Sequence, residues 1–209
     1  MRNGHYILDA HCHIYPEKLA ARAGAHISAF YGGLPVCGGS VSSLLPLMQQ
    51  QGIDFALVNS AAMTPHQVDS VNRFVLETAQ QFPQKFAPIG TMHPDSTPQQ
   101  QAQDLLFLKE HAFHAIKLHP DMLQLPVDAP GMLRIFAQCE EADLPVLLHT
   151  GDVRYDFSNP NRMKRLLPQF PNLTFIGGHF GGRDWFMEAA DQLHVFPNFL
   201  LTAPLLLMY

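Results

Sequence analysis

The stretch HYILDAHCHIYP, residues 5–16, decides between two folds that the rest of the chain allows. Apolar runs alternate with helical patterns along the sequence, which predicts parallel β-strands covered by α-helices. Such a chain forms either a doubly wound sheet or a (β/α) barrel. A doubly wound nucleotide-binding sheet has a GxGxxG turn after its first strand, whereas this first strand ends in His-Cys-His. The sequence therefore favours the barrel.

The apolar runs predict seven strands in an α/β fold of the (β/α)8 TIM-barrel type. These strands cover residues 5–15, 54–62, 86–94, 115–120, 145–151, 174–182 and 198–204. Between them, Thr97 and Pro98 open one predicted helix and Gly52 ends another. We expect the glycine-rich stretch 16–40 to form a long first loop above the barrel.

Chain length sets the expected domain organisation. A complete barrel of eight strands needs about 250 residues, and this chain has 209. We therefore predict one barrel domain over residues 1–209, with about seven of the eight strands present and the eighth lacking.

Composition limits the kinds of partner. The chain is 47% hydrophobic and 15% charged, with a formal net charge of -5, and it has no run of lysine or arginine that would follow a phosphate backbone. We expect a small-molecule substrate and no nucleic acid. No apolar segment has the roughly 18 residues of a membrane span. Three cysteines without CxxC spacing predict reduced thiols in a cytoplasmic protein.

Histidines are concentrated at the predicted strand ends, where barrel proteins place the residues that carry their chemistry. They are His11, His13, His93, His119, His149 and His179. Singly, each could be a hydrogen-bonded core histidine, and His93 could cap a loop before Pro94. Buried imidazoles that converge are most simply satisfied by a cation, and imidazole suits zinc, iron, nickel or copper. The joint pattern predicts a metal site.

Strand alternation indicates which of these side chains lie on one face. A period of two residues puts Asp9, His11 and His13 on the same face of the first strand. It also puts Lys117 and His119 on the same face of the fourth. We therefore expect both sets to point into the same end of the barrel.

Four motifs in this order resemble the amidohydrolase-related (amidohydrolase 2) family of metal-dependent TIM-barrel hydrolases, which includes decarboxylases and lactone hydrolases. The motifs are DAHCHIYP (9–16), AIKLHPDM (115–122), PVLLHTGD (145–152) and FIGGHFGG (175–182). The resemblance extends from about residue 7 to residue 182. TatD-type nucleases also begin with a similar HxH, but they carry a glutamate at the fourth strand end. This chain has Lys117 and His119 there, which argues against a nuclease.

The resemblance implies a role for each motif histidine. It implies that His11, His13 and His149 bind a divalent metal, zinc first and manganese as the alternative. His179 would then be the catalytic group that transfers a proton. Lys117 falls where related superfamily members place a carboxylated lysine that bridges two metals. In this family, however, a single metal is commoner. Lys117 and His119 are therefore predicted to bind and orient the substrate.

Three functions remain open at this stage. The first is a metal-dependent hydrolase of a small carboxylated or cyclic ester or amide. The alternatives are a decarboxylase of the same family and an inactive, truncated barrel that still binds metal. The family's last ligand is an aspartate on the eighth strand, so we expect a C-terminally truncated chain, or one completed by another copy in a homo-oligomer. Asp9 and Asp152 are the candidate replacements for that aspartate.

Overall fold

A computed structural model of the protein describes residues 4–32 and 38–202. Within them, parallel strands pair in chain order in two groups of three and four. The strands are β1 (Leu8–His13), β2 (Phe55–Asn59), β3 (Phe86–Pro88), β4 (Ile116–Leu118), β5 (Val146–Leu148), β6 (Phe175–Gly177) and β7 (Phe199–Leu201). All seven lie inside the predicted runs, so the strand prediction is confirmed.

Gly90, just after β3, joins the two groups of strands. Its N–H donates to the carbonyl of Ala115 at 2.9 Å, and its carbonyl accepts from the N–H of Lys117 at 2.7 Å. The parallel order therefore continues from β1 to β7 in sequence, as in a barrel wall. A doubly wound sheet reverses its strand order at a switch point, and this arrangement does not.

Helices connect and cover the strands. They are α1 (Glu17–Tyr31), α2 (Val41–Gln51), α3 (Val68–Gln81), α4 (Pro98–Glu110), α5 (Pro120–Leu123), α6 (Pro130–Glu141), α7 (Pro160–Leu166) and α8 (Phe186–Leu193). Both predicted helix signals are confirmed: Thr97 caps α4 by accepting the N–H of Gln100, and Gly52 ends α2 with φ of 70°.

The predicted long loop over residues 16–40 is wrong for most of its length, because α1 occupies Glu17–Tyr31. The alanine-rich stretch from Leu19 to Ala29 consists largely of good helix formers, and they outweigh the glycines that follow it. Gly32 ends the helix in the left-handed conformation, with φ of 74°, which glycine adopts without steric cost. Residues 33–37 of this stretch lie outside the described residues.

The strands have one face toward the barrel interior and one toward the helices. A compact set of side chains packs inside the barrel. It comprises Leu57, Ile89, Ala115, Leu147 and Ile176. Since alternate residues share a face, Lys117 and His149 follow Ala115 and Leu147 on the interior side. They therefore lie toward the C-terminal ends of the strands, an end that we call the barrel mouth.

Parts of two sequence features lie outside the described residues. The apolar terminal run from 203 to 209 lies outside them, as does Cys37. The buried Cys139 is a free thiol. In the two described segments, no helix combines the length and apolar character needed to cross a bilayer.

Candidate metal centre

Five predicted histidines converge at the barrel mouth. The Nε2 atoms of His11 and His13 are 3.2 Å apart, and Nε2 of His179 lies 3.1 Å from Nδ1 of His149. The ring of His119 stacks on that of His149, with centroids 3.9 Å apart and an interplanar angle of 11°. The rings of His11 and His179 are 5.4 Å apart, which joins the two halves of the cluster. The structure thus brings together side chains from β1 and from the ends of β4, β5 and β6.

Burial keeps these imidazoles neutral. Desolvation, reinforced by the charge of Lys117, lowers the pKa of His13 to about 3 and that of His179 to about 4. The same causes lower the pKa of the other members well below the ordinary value. These are His11, His119 and His149. Since a metal ion binds the neutral imidazole, the protonation state of the cluster suits coordination.

Lys117 places an amine on the interior face. Its side chain is 1% exposed, and burial lowers its pKa to about 7. Within the described residues its Nζ atom has no hydrogen-bond partner. A buried amine without a partner is costly, so this position is typical of a group that meets a ligand.

The carboxylate beside the histidines is Asp121, which the sequence did not single out. Its Oδ2 atom lies 3.9 Å from Nε2 of His149 and accepts a hydrogen bond from Ser158 at 2.9 Å. Oδ1 is buried without a partner among the described residues, and burial raises the pKa of Asp121 to about 6. His119, Asp121 and His149 each offer an atom within 4.8 Å of the others.

Asp9 and Asp152, the candidate carboxylates from the sequence, each accept hydrogen bonds from neighbouring residues. The pairing of β1 with β2 shifts register between Asp9 and Cys12, which interrupts the simple alternation. Asp9 instead accepts the backbone N–H of His11 at 3.0 Å. Asp152 accepts the Nε–H of Arg154 at 2.8 Å. Both carboxylates are thus bound to local donors.

The hydrogen bonds of His119 fix its tautomer. Its Nδ1 atom accepts the backbone N–H of Met122 at 3.2 Å, which also caps α5. A neutral imidazole has one protonated nitrogen, so Nε2 of His119 carries the hydrogen. That atom lies 2.7 Å from the hydroxyl of Tyr31. His119 therefore presents a donor to the barrel mouth, and neither of its nitrogens has a lone pair for a metal.

The backbone around His179 is strained. His179 and Phe180 have φ of 54° and 56°, and consecutive non-glycine residues in this region are uncommon. The loop is held by Thr150, whose hydroxyl donates to the carbonyl of Gly178 at 2.8 Å. Strain of this kind is concentrated at functional sites. Here it sets the position of the His179 ring against His149.

His93, the remaining strand-end histidine, has a local role. Its Nδ1 atom accepts the backbone N–H of Asp95 at 3.2 Å, and its side chain is buried. It caps the loop that follows β3, as the alternative interpretation of its sequence position allowed.

The fold and the site together define a TIM-barrel protein with a candidate metal centre at the mouth of the barrel. The chain belongs to the amidohydrolase family, whose model matches residues 8–206. This membership confirms the resemblance recognised in the four motifs, and members of the family are enzymes. A comparison with curated proteins gives no match.

Solved structures confirm the barrel class. An uncharacterised TIM-barrel protein from Bordetella bronchiseptica is 21% identical, with a TM-score of 0.74 over 94% of this chain and 74% of that one. A manganese-bound 5-carboxyvanillate decarboxylase from Novosphingobium aromaticivorans is 15% identical (TM-score 0.66; 96% and 76% covered). A probable 2-pyrone-4,6-dicarboxylic acid hydrolase from Acinetobacter baumannii is 18% identical (TM-score 0.62; 94% and 69% covered). At these identities the likeness concerns the fold.

Proposed function

We propose that this protein is a metal-dependent hydrolase that acts on a small carboxylated or cyclic ester or amide. The observation that carries the proposal is the group of neutral, buried imidazoles whose nitrogens face one another at the barrel mouth. Family membership supports the reaction type, since the name of one structural neighbour describes a hydrolase of a cyclic dicarboxylic acid.

We assign the metal to His11, His13 and His149. Nitrogen ligands about 2.0–2.1 Å from a tetrahedral zinc lie roughly 3.3 Å from each other, and the Nε2 atoms of His11 and His13 are 3.2 Å apart. The unpartnered Oδ1 atom of Asp121 supplies a nearby carboxylate. The nitrogens of His11 and His13 therefore fit two adjacent ligand positions of one divalent ion, with zinc first and manganese, which one neighbour binds, as the alternative; His149 is proposed as the third ligand from the family resemblance. When bound, such a metal lowers the pKa of its water toward about 7 and polarises a carbonyl.

His179 is the proposed catalytic residue. Its Nε2 atom, 3.1 Å from His149, lies beside the proposed ligand and is positioned to take up or give back a proton during hydrolysis. Lys117 and His119 are the proposed substrate-orienting groups: Nζ of Lys117 is a donor at the mouth without a partner among the described residues, and the protonated Nε2 of His119 donates to Tyr31 there. Donors of this type suit a carboxylate or carbonyl oxygen.

A decarboxylase is the second candidate, since another structural neighbour of similar coverage is a decarboxylase of an aromatic acid. The same site would then cleave a carbon–carbon bond. A metal-binding but inactive barrel is the third candidate.

Two assays separate these candidates. The full chain, loaded with zinc or manganese, is incubated with 2-pyrone-4,6-dicarboxylic acid, for which ring opening is followed by absorbance, and with 5-carboxyvanillate, for which release of carbon dioxide is measured. Ring opening supports the hydrolase, and carbon dioxide release supports the decarboxylase. His179→Asn should abolish turnover and retain the metal, whereas His111→Asn, at an exposed position after α4, should change neither.

Binding provides a readout that does not depend on turnover. We choose 3-methoxy-4-hydroxy-5-nitrobenzoic acid, the ligand of one structural neighbour, as the aromatic acid probe. Calorimetric titration with this probe tests the site directly. Metal bound without turnover of either substrate would support the inactive barrel, and a protein without affinity for divalent ions would contradict all three candidates.

A further inference from the structure

Tyr31 reaches the candidate metal centre from an element that is not part of the barrel wall. It is the last residue of α1. Its hydroxyl lies 2.7 Å from Nε2 of His119 and 3.2 Å from Nε2 of His149. No motif of the sequence pointed to this residue, and the predicted site does not include it.

The end of α1 is fixed over the barrel mouth by two arginines. The guanidinium of Arg183 lies 4.3 Å from the centre of the Tyr31 ring, and that of Arg154 lies 4.4 Å from the Phe30 ring. Arg154 also donates to the carbonyl of Phe30, one of the last carbonyls of the helix. Since Arg154 is ion-paired with Asp152, α1 is attached to the loop that follows β5. Tyr31 is thus held in a defined place.

The hydrogen bonds around Tyr31 make its hydroxyl a hydrogen-bond donor at the barrel mouth. His119 donates from Nε2, because its Nδ1 is already an acceptor, so the Tyr31 oxygen accepts that bond. The Tyr31 O–H then needs an acceptor, and His149 is the one within reach among residues 4–32 and 38–202. A neutral His149 has a single lone pair on nitrogen. If that lone pair binds the metal, as the proposed function requires, the Tyr31 hydroxyl must donate elsewhere.

We propose that the Tyr31 hydroxyl donates a hydrogen bond to an anionic oxygen of the substrate, and that His119 orients the substrate through Tyr31. The proposal rests on the proposed function. Tyr31 is a substrate-binding donor, and His119 is a positioning residue whose N–H polarises the phenol and strengthens it as a donor. Arg154 and Arg183 near Tyr31 are each paired with a carboxylate, that of Asp152 or Asp184. The preference for an oxygen that carries negative charge, such as a carboxylate, therefore comes from the donor hydroxyl together with the unpartnered Nζ of Lys117 at the same mouth.

The test is titration of the metal-loaded full chain with the aromatic acid probe. Tyr31→Phe keeps the ring against Arg183 and removes only the hydroxyl. Because Tyr31→Phe loses a hydrogen bond to a charged group, the dissociation constant of this variant for the probe should rise about tenfold or more. Its metal content should not change. Tyr155→Phe is the matched control, because Tyr155 also contacts Arg154 and its hydroxyl is not part of the proposed network. It should bind the probe as the parent does.

A double-mutant cycle tests the role of His119. Asparagine accepts an N-cap hydrogen bond well but is too short to reach Tyr31, so His119→Asn keeps the cap of α5 and removes the donor. It should weaken probe binding in the parent and have no further effect in Tyr31→Phe. Additive losses would overturn the indirect role of His119. Equal probe affinity of the parent and Tyr31→Phe would overturn the assignment of Tyr31, whereas a parent that binds neither metal nor probe would contradict the proposed function itself.

Discussion

Nδ1 of His119 accepts the backbone N–H of Met122 at 3.2 Å, and this contact distinguishes between two candidate ligand sets. One is the cluster of His119, Asp121 and His149. The other, proposed here, is His11, His13 and His149. Since His119 uses its lone pair on the helix cap, we predict that it does not bind the metal.

Metal content measures this difference. His119→Asn should bind zinc with the parent stoichiometry, measured on the dialysed protein by mass spectrometry. His149→Asn should lose at least tenfold in affinity, because a direct ligand is removed. Loss of zinc in His119→Asn, with the thermal unfolding temperature unchanged, would favour the other ligand set.

Gly151 and Gly182 bring the loops of His149 and His179 into contact. A Cβ atom on Gly151 would lie 2.6 Å from the Cα of Gly182, and φ of Gly151 is +70°. We predict that Gly151→Ala forces the two loops apart. The substitution should cost about 1–3 kcal/mol of unfolding free energy and reduce turnover by about tenfold or more, because catalysis is sensitive to small displacements.

Gly52→Ala is the control for Gly151→Ala. Gly52 has the same φ of +70°, but nothing lies within 4 Å of an added Cβ. Its alanine variant should show the cost of backbone strain, about 1–2 kcal/mol, with normal turnover. Urea unfolding and the assay of the proposed reaction measure both effects. Equal turnover losses in the two variants would show that the contact between the loops is not the cause.

Local patterns made the barrel and most of its site predictable from sequence. A period of two residues gave the strands and placed Lys117 and His119 on one face, and the order of parallel strands brought their ends together. The rule failed where the backbone departs from a regular strand. At the bulge in β1, where the register shifts between Asp9 and Cys12, Asp9 accepts the N–H of His11.

Tyr31 and Asp121 were missed for a different reason. Both reach the site from helices, so their positions depend on how α1 and α5 pack against the barrel. That packing rests on contacts between residues far apart in sequence, such as the bond from Arg154 to Phe30. A usable signal was present for Tyr31, since Gly32 directly after it is a typical helix end.

Thr97 provides a test of a feature that the sequence predicted. Its hydroxyl accepts the N–H of Gln100 at 3.2 Å at the start of α4. Thr97→Ala should lower the unfolding free energy by about 1 kcal/mol, and Thr97→Asp should restore most of it. Urea unfolding of the three proteins measures the difference. Equal stability of all three would show that the cap contributes nothing.

The ion pair of Asp152 and Arg154 predicts a pH-dependent contribution to stability. The Asp152 side chain is 0% exposed. Burial raises its pKa, but the hydrogen bonds from Arg154 outweigh this and hold the pKa below the ordinary value of 3.8. The ionised form is therefore favoured in the folded state. Its contribution is fully present above about pH 4 and is lost as the pH falls through the lowered pKa.

Asp152→Asn should accordingly lower the unfolding free energy at pH 7 by about 1–2 kcal/mol, a value reduced for the partial exposure of Arg154. Because the parent carboxyl is protonated in acid, the gap between the two proteins should narrow below pH 4. Asp69→Asn, which removes an exposed pair with Arg73, should cost less than about 0.5 kcal/mol. Urea unfolding at several pH values measures the stability of the parent protein and of both variants. A difference between the parent and Asp152→Asn that stays constant down to pH 2 would contradict the assigned role of the ion pair.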